Sequence, residues 1–123
     1  ALEATYNILE KHKPIKGIMH CYSGSAEMAP RFMDLGMYIS LAGPVTFKNA
    51  KVPKQVAVVT PLEKLLVETD CPYLAPHPLR GKQNKAYYVT YVIDEIAKLK
   101  GIESKVVEDA TYDNAVKLFG LER

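Results

Sequence analysis

Cysteine is scarce in this chain: Cys21 and Cys71 are the only two among 123 residues, too few for a disulfide scaffold. Charge of one sign is equally wanting. The 16 Lys and Arg against 14 Asp and Glu leave a formal net charge of +2, too mild to announce a nucleic-acid binder on composition alone. Any such case must come from local clusters. No run of about 18 apolar residues marks a membrane span, no charged-then-apolar leader is visible, and neither repeats nor low-complexity segments occur. These absences lead us to expect a soluble protein in a reducing, cytoplasmic setting with no membrane partner. With 48% hydrophobic residues, the composition is that of a folded domain, and the length suits one.

Apolar spacing then divides the chain into alternating elements. Leu2, Tyr6 and Leu9 predict a helix over about 2–11, and Ile15 to Met19 a strand that ends at His20-Cys21-Tyr22-Ser23-Gly24. Ser25 is a candidate cap for a helix carrying Met28, Phe32 and Leu35, with Pro30 in its first turn and Gly36 at its end. Met37 to Leu41 reads as a second strand, Gly43-Pro44 as a turn, and Pro53 as the start of a short helix bearing Val56 and Val59. Leu65 to Asp70 reads as a third strand. A loop stiffened by Pro72, Pro76 and Pro78 follows, then a long helix over about 85–100 with Tyr88, Val92, Ile96 and Leu99 on one face and Gly101 at its C-terminus. Two short helices are expected after it, capped by Ser104 and Thr111, the second burying Ala115, Leu118 and Phe119.

Helices that alternate with short apolar strands imply parallel strands and right-handed crossovers, an α/β architecture. The strands are apolar on both faces until their C-terminal ends, as when helices cover one side and a barrel interior the other. A closed barrel needs about 250 residues and eight strands. Three strands in 123 residues therefore suggest part of a barrel, and the entry straight into an amphipathic segment also suggests a fragment.

Polar residues gather where the strands finish. His20 follows the first strand; Glu68 and Asp70 close the third, spaced by two and so on one face of it. Imidazole nitrogen and carboxylate oxygen converging from rigid strand ends are what a divalent metal takes. The competing readings are a hydrogen-bonded core histidine and carboxylates that close a turn before Cys71-Pro72. Arg80-Gly81-Lys82-Gln83-Asn84-Lys85, followed by Tyr87 and Tyr88, is the densest positive patch, suited either to phosphate and base or simply to solvent. Lys48, Lys51 and Lys54 read as a solvated face, His12 as surface, and His77 has no evident partner. Cys21 and Cys71 each follow a candidate ligand, so alternation turns them away from it, as small buried hydrophobes.

His20-Cys21-Tyr22-Ser23-Gly24, Gly43-Pro44-Val45-Thr46-Phe47, Glu68-Thr69-Asp70-Cys71-Pro72-Tyr73-Leu74-Ala75-Pro76, Arg80-Gly81-Lys82-Gln83-Asn84 and Asn114-Ala115-Val116-Lys117-Leu118-Phe119 together resemble the TatD family of metal-dependent deoxyribonucleases. The resemblance covers nearly the whole chain but only the C-terminal half of the family's barrel. It implies a partial TIM (β/α) barrel of the metal-dependent hydrolase type, the last three strands with their helices, with residues 1–123 forming the C-terminal part of a single domain. It further implies His20 and Asp70 as metal ligands, and Glu68 as an acid that works beside Asp70 by orienting or hydrogen bonding. Arg80, Lys82 and Asn84 become substrate-binding residues. Tyr22 stands where Phe is commoner, and Ala86 where Pro is usual.

The family's opening His-x-His pair, bridging Glu and a further His belong to the part of the barrel before this stretch. The expectation is therefore a DNA phosphodiesterase dependent on Mg²⁺, Mn²⁺ or Zn²⁺ in the complete protein, with little activity in this portion alone. Its partners would be DNA and the N-terminal half of the barrel, or another copy of itself. Two alternatives stand beside it: a non-catalytic association module acting through open strand edges, and an amide or ester hydrolase built on the same kind of barrel.

Overall fold

A computed structural model describes residues 2–20, 22–68 and 88–120. Helix α1 (Leu2–Glu10) precedes strand β1 (Gly17–Met19), helix α2 (Met28–Asp34) and strand β2 (Met37–Leu41). A 3₁₀ turn at Gly43–Thr46, helix α3 (Lys51–Val59) and a second 3₁₀ turn at Leu62–Lys64 lead into strand β3 (Leu65–Val67). Helices α4 (Val89–Lys100) and α5 (Ser104–Phe119) complete the described chain. The strands form one parallel sheet in the order β1-β2-β3, as the alternation of elements predicts.

The register assigns each strand residue to a face. Gly17 pairs with Met37 and Met19 with Ile39, while Ile39 pairs with Leu65 and Leu41 with Val67. Met19, Met37, Ile39, Leu41, Leu65 and Val67 all join the core that the helices cover, beside Phe32, Val56, Val92, Ile96 and Val107. Burying a side chain such as Phe32, Ile39 or Leu65 contributes about 1.5–3 kcal/mol each. Ile18, Tyr38, Ser40 and Leu66 alternate onto the opposite face. That second face leads to the residues of interest.

Local chemistry explains where the helices begin and end. Ser25 Oγ accepts the Met28 N–H at 3.1 Å just ahead of α2, but the cap position of that helix is Glu27, without a side-chain bond; Pro30 sits in the first turn, where a missing N–H costs little. Helix α3 starts two residues before the expected Pro53, which is tolerated near the N-terminus for the same reason. At the end of α4, Gly101 adopts φ 69 and the Ile102 N–H closes on the Ala97 carbonyl at 3.0 Å. Lys100 then reaches across to the carbonyls of Val58 and Thr60 at the end of α3.

Three expectations fail at α5. Residues 104–119 form one helix, not two: Thr111 is buried and returns its hydroxyl to the carbonyls of Val107 and Glu108 at 2.9 and 3.1 Å, a bond that lets threonine sit inside a helix instead of capping one. Ser104 bonds Asp94 Oδ1 at 2.7 Å instead of capping, which ties α5 to α4. Phe119 is exposed, and the buried face of α5 is Val107, Thr111 and Asn114. Asn114 donates to the carbonyls of Leu62 and Leu65 at 2.6 and 2.7 Å, clamping the helix to the start of β3.

One backbone approach is tighter than the rest. Gly36 has φ 105, and a Cβ there would run into the carbonyl oxygen of Ile15. The Ile15 N–H bonds the Leu35 carbonyl at 2.9 Å across the same junction. Only glycine meets both demands, the positive φ and the missing side chain.

Candidate metal-binding rim

Both described candidate residues sit just beyond strand ends. The Glu68 N–H donates to the Leu41 carbonyl at 2.9 Å, adding a rung beyond Val67. On the other side the Tyr22 N–H donates to the Ser40 carbonyl at 2.9 Å, which keeps the chain beside β2 after Met19. The end of β2 thus anchors His20 from one flank and Glu68 from the other. By alternation each projects on the face of Ile18 and Leu66, away from the helix-covered core.

The two side chains meet across β2. His20 Nε2 lies 2.6 Å from Glu68 Oε1, although their strands are separated by about two inter-strand spacings, or ~9.5 Å. Exposure differs between them: the imidazole is 68% exposed and the carboxylate side chain only 15%. An open ring edge is therefore held by a largely desolvated acid. The ring edge and Oε1 are in close polar contact, which restricts how the imidazole can turn. A carboxylate that holds a histidine in one orientation is a common support for a metal ligand.

The donor chemistry fits a divalent cation in kind, with one neutral nitrogen and one anionic oxygen at the C-terminal edge of a parallel sheet. Among the described residues no three His, Cys, Asp or Glu side chains converge on one point. Asp70, Arg80, Lys82 and Asn84 lie outside the described residues, as do Cys21, Cys71 and His77.

The loop that leaves β2 is secured by a residue read from sequence as solvated. Lys54 donates to the Val45 carbonyl at 2.7 Å and to Glu95 Oε2 at 3.1 Å, fastening the loop to α4. Nothing local signals this pair, which is 41 residues apart in sequence. Tyr22 packs edge-on against Phe32 and donates its hydroxyl to the Ser25 carbonyl at 2.8 Å. That bond joins the segment after His20 to the start of α2. No helix among the described residues is long and apolar enough to cross a membrane.

Known proteins are similar to this chain in sequence and in fold. The chain is 48% identical over 121 residues to the uncharacterized metal-dependent hydrolase YabD of Bacillus subtilis (strain 168), covering 97% of this chain and 48% of YabD. It is 43% identical over 113 residues to the uncharacterized metal-dependent hydrolase YcfH of Escherichia coli (strain K12), covering 92% of this chain and 43% of YcfH. The chain spans about half the length of the curated relatives it matches. Among solved structures, the TatD homolog YjjV of Escherichia coli K12 superposes with a TM-score of 0.89 at 28% identity, covering 98% of this chain and 47% of that one. The three-stranded parallel sheet and its helices thus correspond to part of the α/β barrel of these hydrolases. Residues 1–120 match the family described as TatD related DNase, and the chain belongs to that family.

Proposed function

We propose that this chain is the C-terminal portion of a metal-dependent deoxyribonuclease that hydrolyses phosphodiester bonds in DNA. The observation that carries the reading is the 2.6 Å contact of His20 with Glu68 at the C-terminal ends of parallel strands, where barrels of this type place their chemistry. Membership of a family described as TatD related DNase supports the substrate class.

Each residue has a role in the proposal. Glu68 lies against the imidazole of His20 and orients the ring, which is offered as the nitrogen donor. Asp70, two residues beyond Glu68, supplies the anionic ligand and with Glu68 forms the acidic part of the catalytic set. Arg80, Lys82 and Asn84 hold substrate phosphate through charge and hydrogen bonds. A divalent ion bound by His20 and Asp70 would supply Lewis acidity and a more acidic water at neutral pH. Two protein donors are fewer than the three that a catalytic zinc usually takes, so the portion studied alone is expected to hydrolyse DNA slowly or not at all.

Calorimetric titration of Mn²⁺ into the metal-stripped protein tests the centre directly. Binding is expected in the parent and absent from Asp70→Ala. In the complete protein, DNA hydrolysis by Asp70→Ala at near-normal turnover would overturn the assignment.

A further inference from the structure

Between Asp34 and Glu63 the chain contains no acidic residue, but it does contain three lysines, Lys48, Lys51 and Lys54. The fold separates them. Lys54 is committed to Val45 and Glu95, at 24% side-chain exposure. Lys48 and Lys51 are exposed, and neither pairs with a carboxylate among the described residues. Lys48 stands on the loop leaving β2 and Lys51 is the first residue of α3. That loop rises from the strand end lying between His20 and Glu68. With no acid on their own loop or helix, and no described carboxylate paired with either, the two ammonium groups give this segment a local positive potential.

We propose that Lys48 and Lys51 form a binding track for a polyanion, and that the polyanion is the phosphodiester backbone of a single nucleic-acid strand beside the bond to be cut. The proposal rests on the DNA reading above and extends the substrate contacts beyond Arg80 and Lys82. Lysine is a flexible point charge that needs no fixed geometry to meet a phosphate. The track therefore positions the strand without reading its bases. Lys54 takes no part in it, because its charge is already used to hold the loop.

Equilibrium binding of a fluorescent oligodeoxythymidylate, measured against salt concentration in EDTA so that no hydrolysis occurs, tests the track. Each phosphate contact on a single strand contributes about 0.7 to the slope of log affinity against log salt. Lys48→Gln with Lys51→Gln is expected to lower that slope by about 1.4. Lys11→Gln with Lys13→Gln removes the same charge from exposed positions leading into β1, at the opposite end of the sheet, and is expected to leave the slope unchanged. An equal loss from both pairs, or no loss from the rim pair while the parent binds, overturns the track and leaves the DNA reading standing. A parent protein with no salt-dependent binding removes the DNA reading itself, and the track with it.

Discussion

Glu68 is placed to act through another residue. Its carboxylate is mostly withdrawn from water yet lies 2.6 Å from a histidine that is mostly exposed, so its effect falls on the orientation of that ring. Glu68→Gln preserves size and removes the charge. The expected result is a 10–100-fold loss of Mn²⁺ affinity, the range seen when outer partners of metal ligands are changed, with helix content intact by circular dichroism. Nitrogen chemical shifts of His20 report the surroundings of the ring and should change in the variant. Unchanged affinity and unchanged shifts would leave Glu68 without this role.

Tyr22 gives a second prediction at the residue scale. Burial pushes its phenol above the ordinary 10.0. The folded state therefore keeps a proton that the unfolded chain gives up, and stability falls as pH climbs from about 10 through the folded value. Lys100 has the opposite sign: burial lowers its ammonium from 10.5, so the folded chain releases that proton first and stability rises with pH between the folded value and 10.5. Tyr22→Phe should cost about 1 kcal/mol at neutral pH, through the lost bond to the Ser25 carbonyl, and should lessen the alkaline loss. Denaturant unfolding at pH 7 and above pH 10 measures both.

At the scale of elements, the bond from α5 to β3 matters most for the rim, because β3 delivers Glu68. Asn114→Ala leaves two carbonyls, those of Leu62 and Leu65, without their donor. About 2–3 kcal/mol of stability should be lost, seen as a lower urea midpoint at unchanged slope. Amide exchange at residues 65–68 should quicken more than in β1. The same element shows where sequence patterning stops. Val107, Thr111 and Asn114 lie on one helical face, but two are polar, so apolar periodicity passes over that face and suggests a break at Thr111. The hydroxyl and amide are satisfied by carbonyls, which no hydropathy pattern displays.

Across the whole molecule, the parallel sheet was legible because Met37–Leu41 is apolar at every position but Ser40 and buried on both faces. Such a strand requires cover on each side. The glycine after α4 was legible for a comparable reason, since it is a local device with its own residue type. The candidate site was only partly so. That His20 and Glu68 finish strands can be read from the chain. Their meeting over β2 follows from strand order and from bonds to Ser40 and Leu41, neither of which leaves a local trace. The Lys54–Glu95 tie is silent for the same reason.

Gly36 carries a consequence for how this protein tolerates change. Its close approach to Ile15 brings β1 alongside β2 at the end of the sheet farthest from the rim. His20 stands five residues beyond Ile15, about 16 Å along an extended chain. A methyl group at position 36 would push Ile15 outward, and His20 is carried by that same short strand. Gly36→Ala is therefore expected to weaken Mn²⁺ binding in whatever fraction still folds, and a saturation library selected for metal binding should return glycine at position 36 as stringently as histidine at position 20. A position far from any chemistry would then be as intolerant of variation as a ligand.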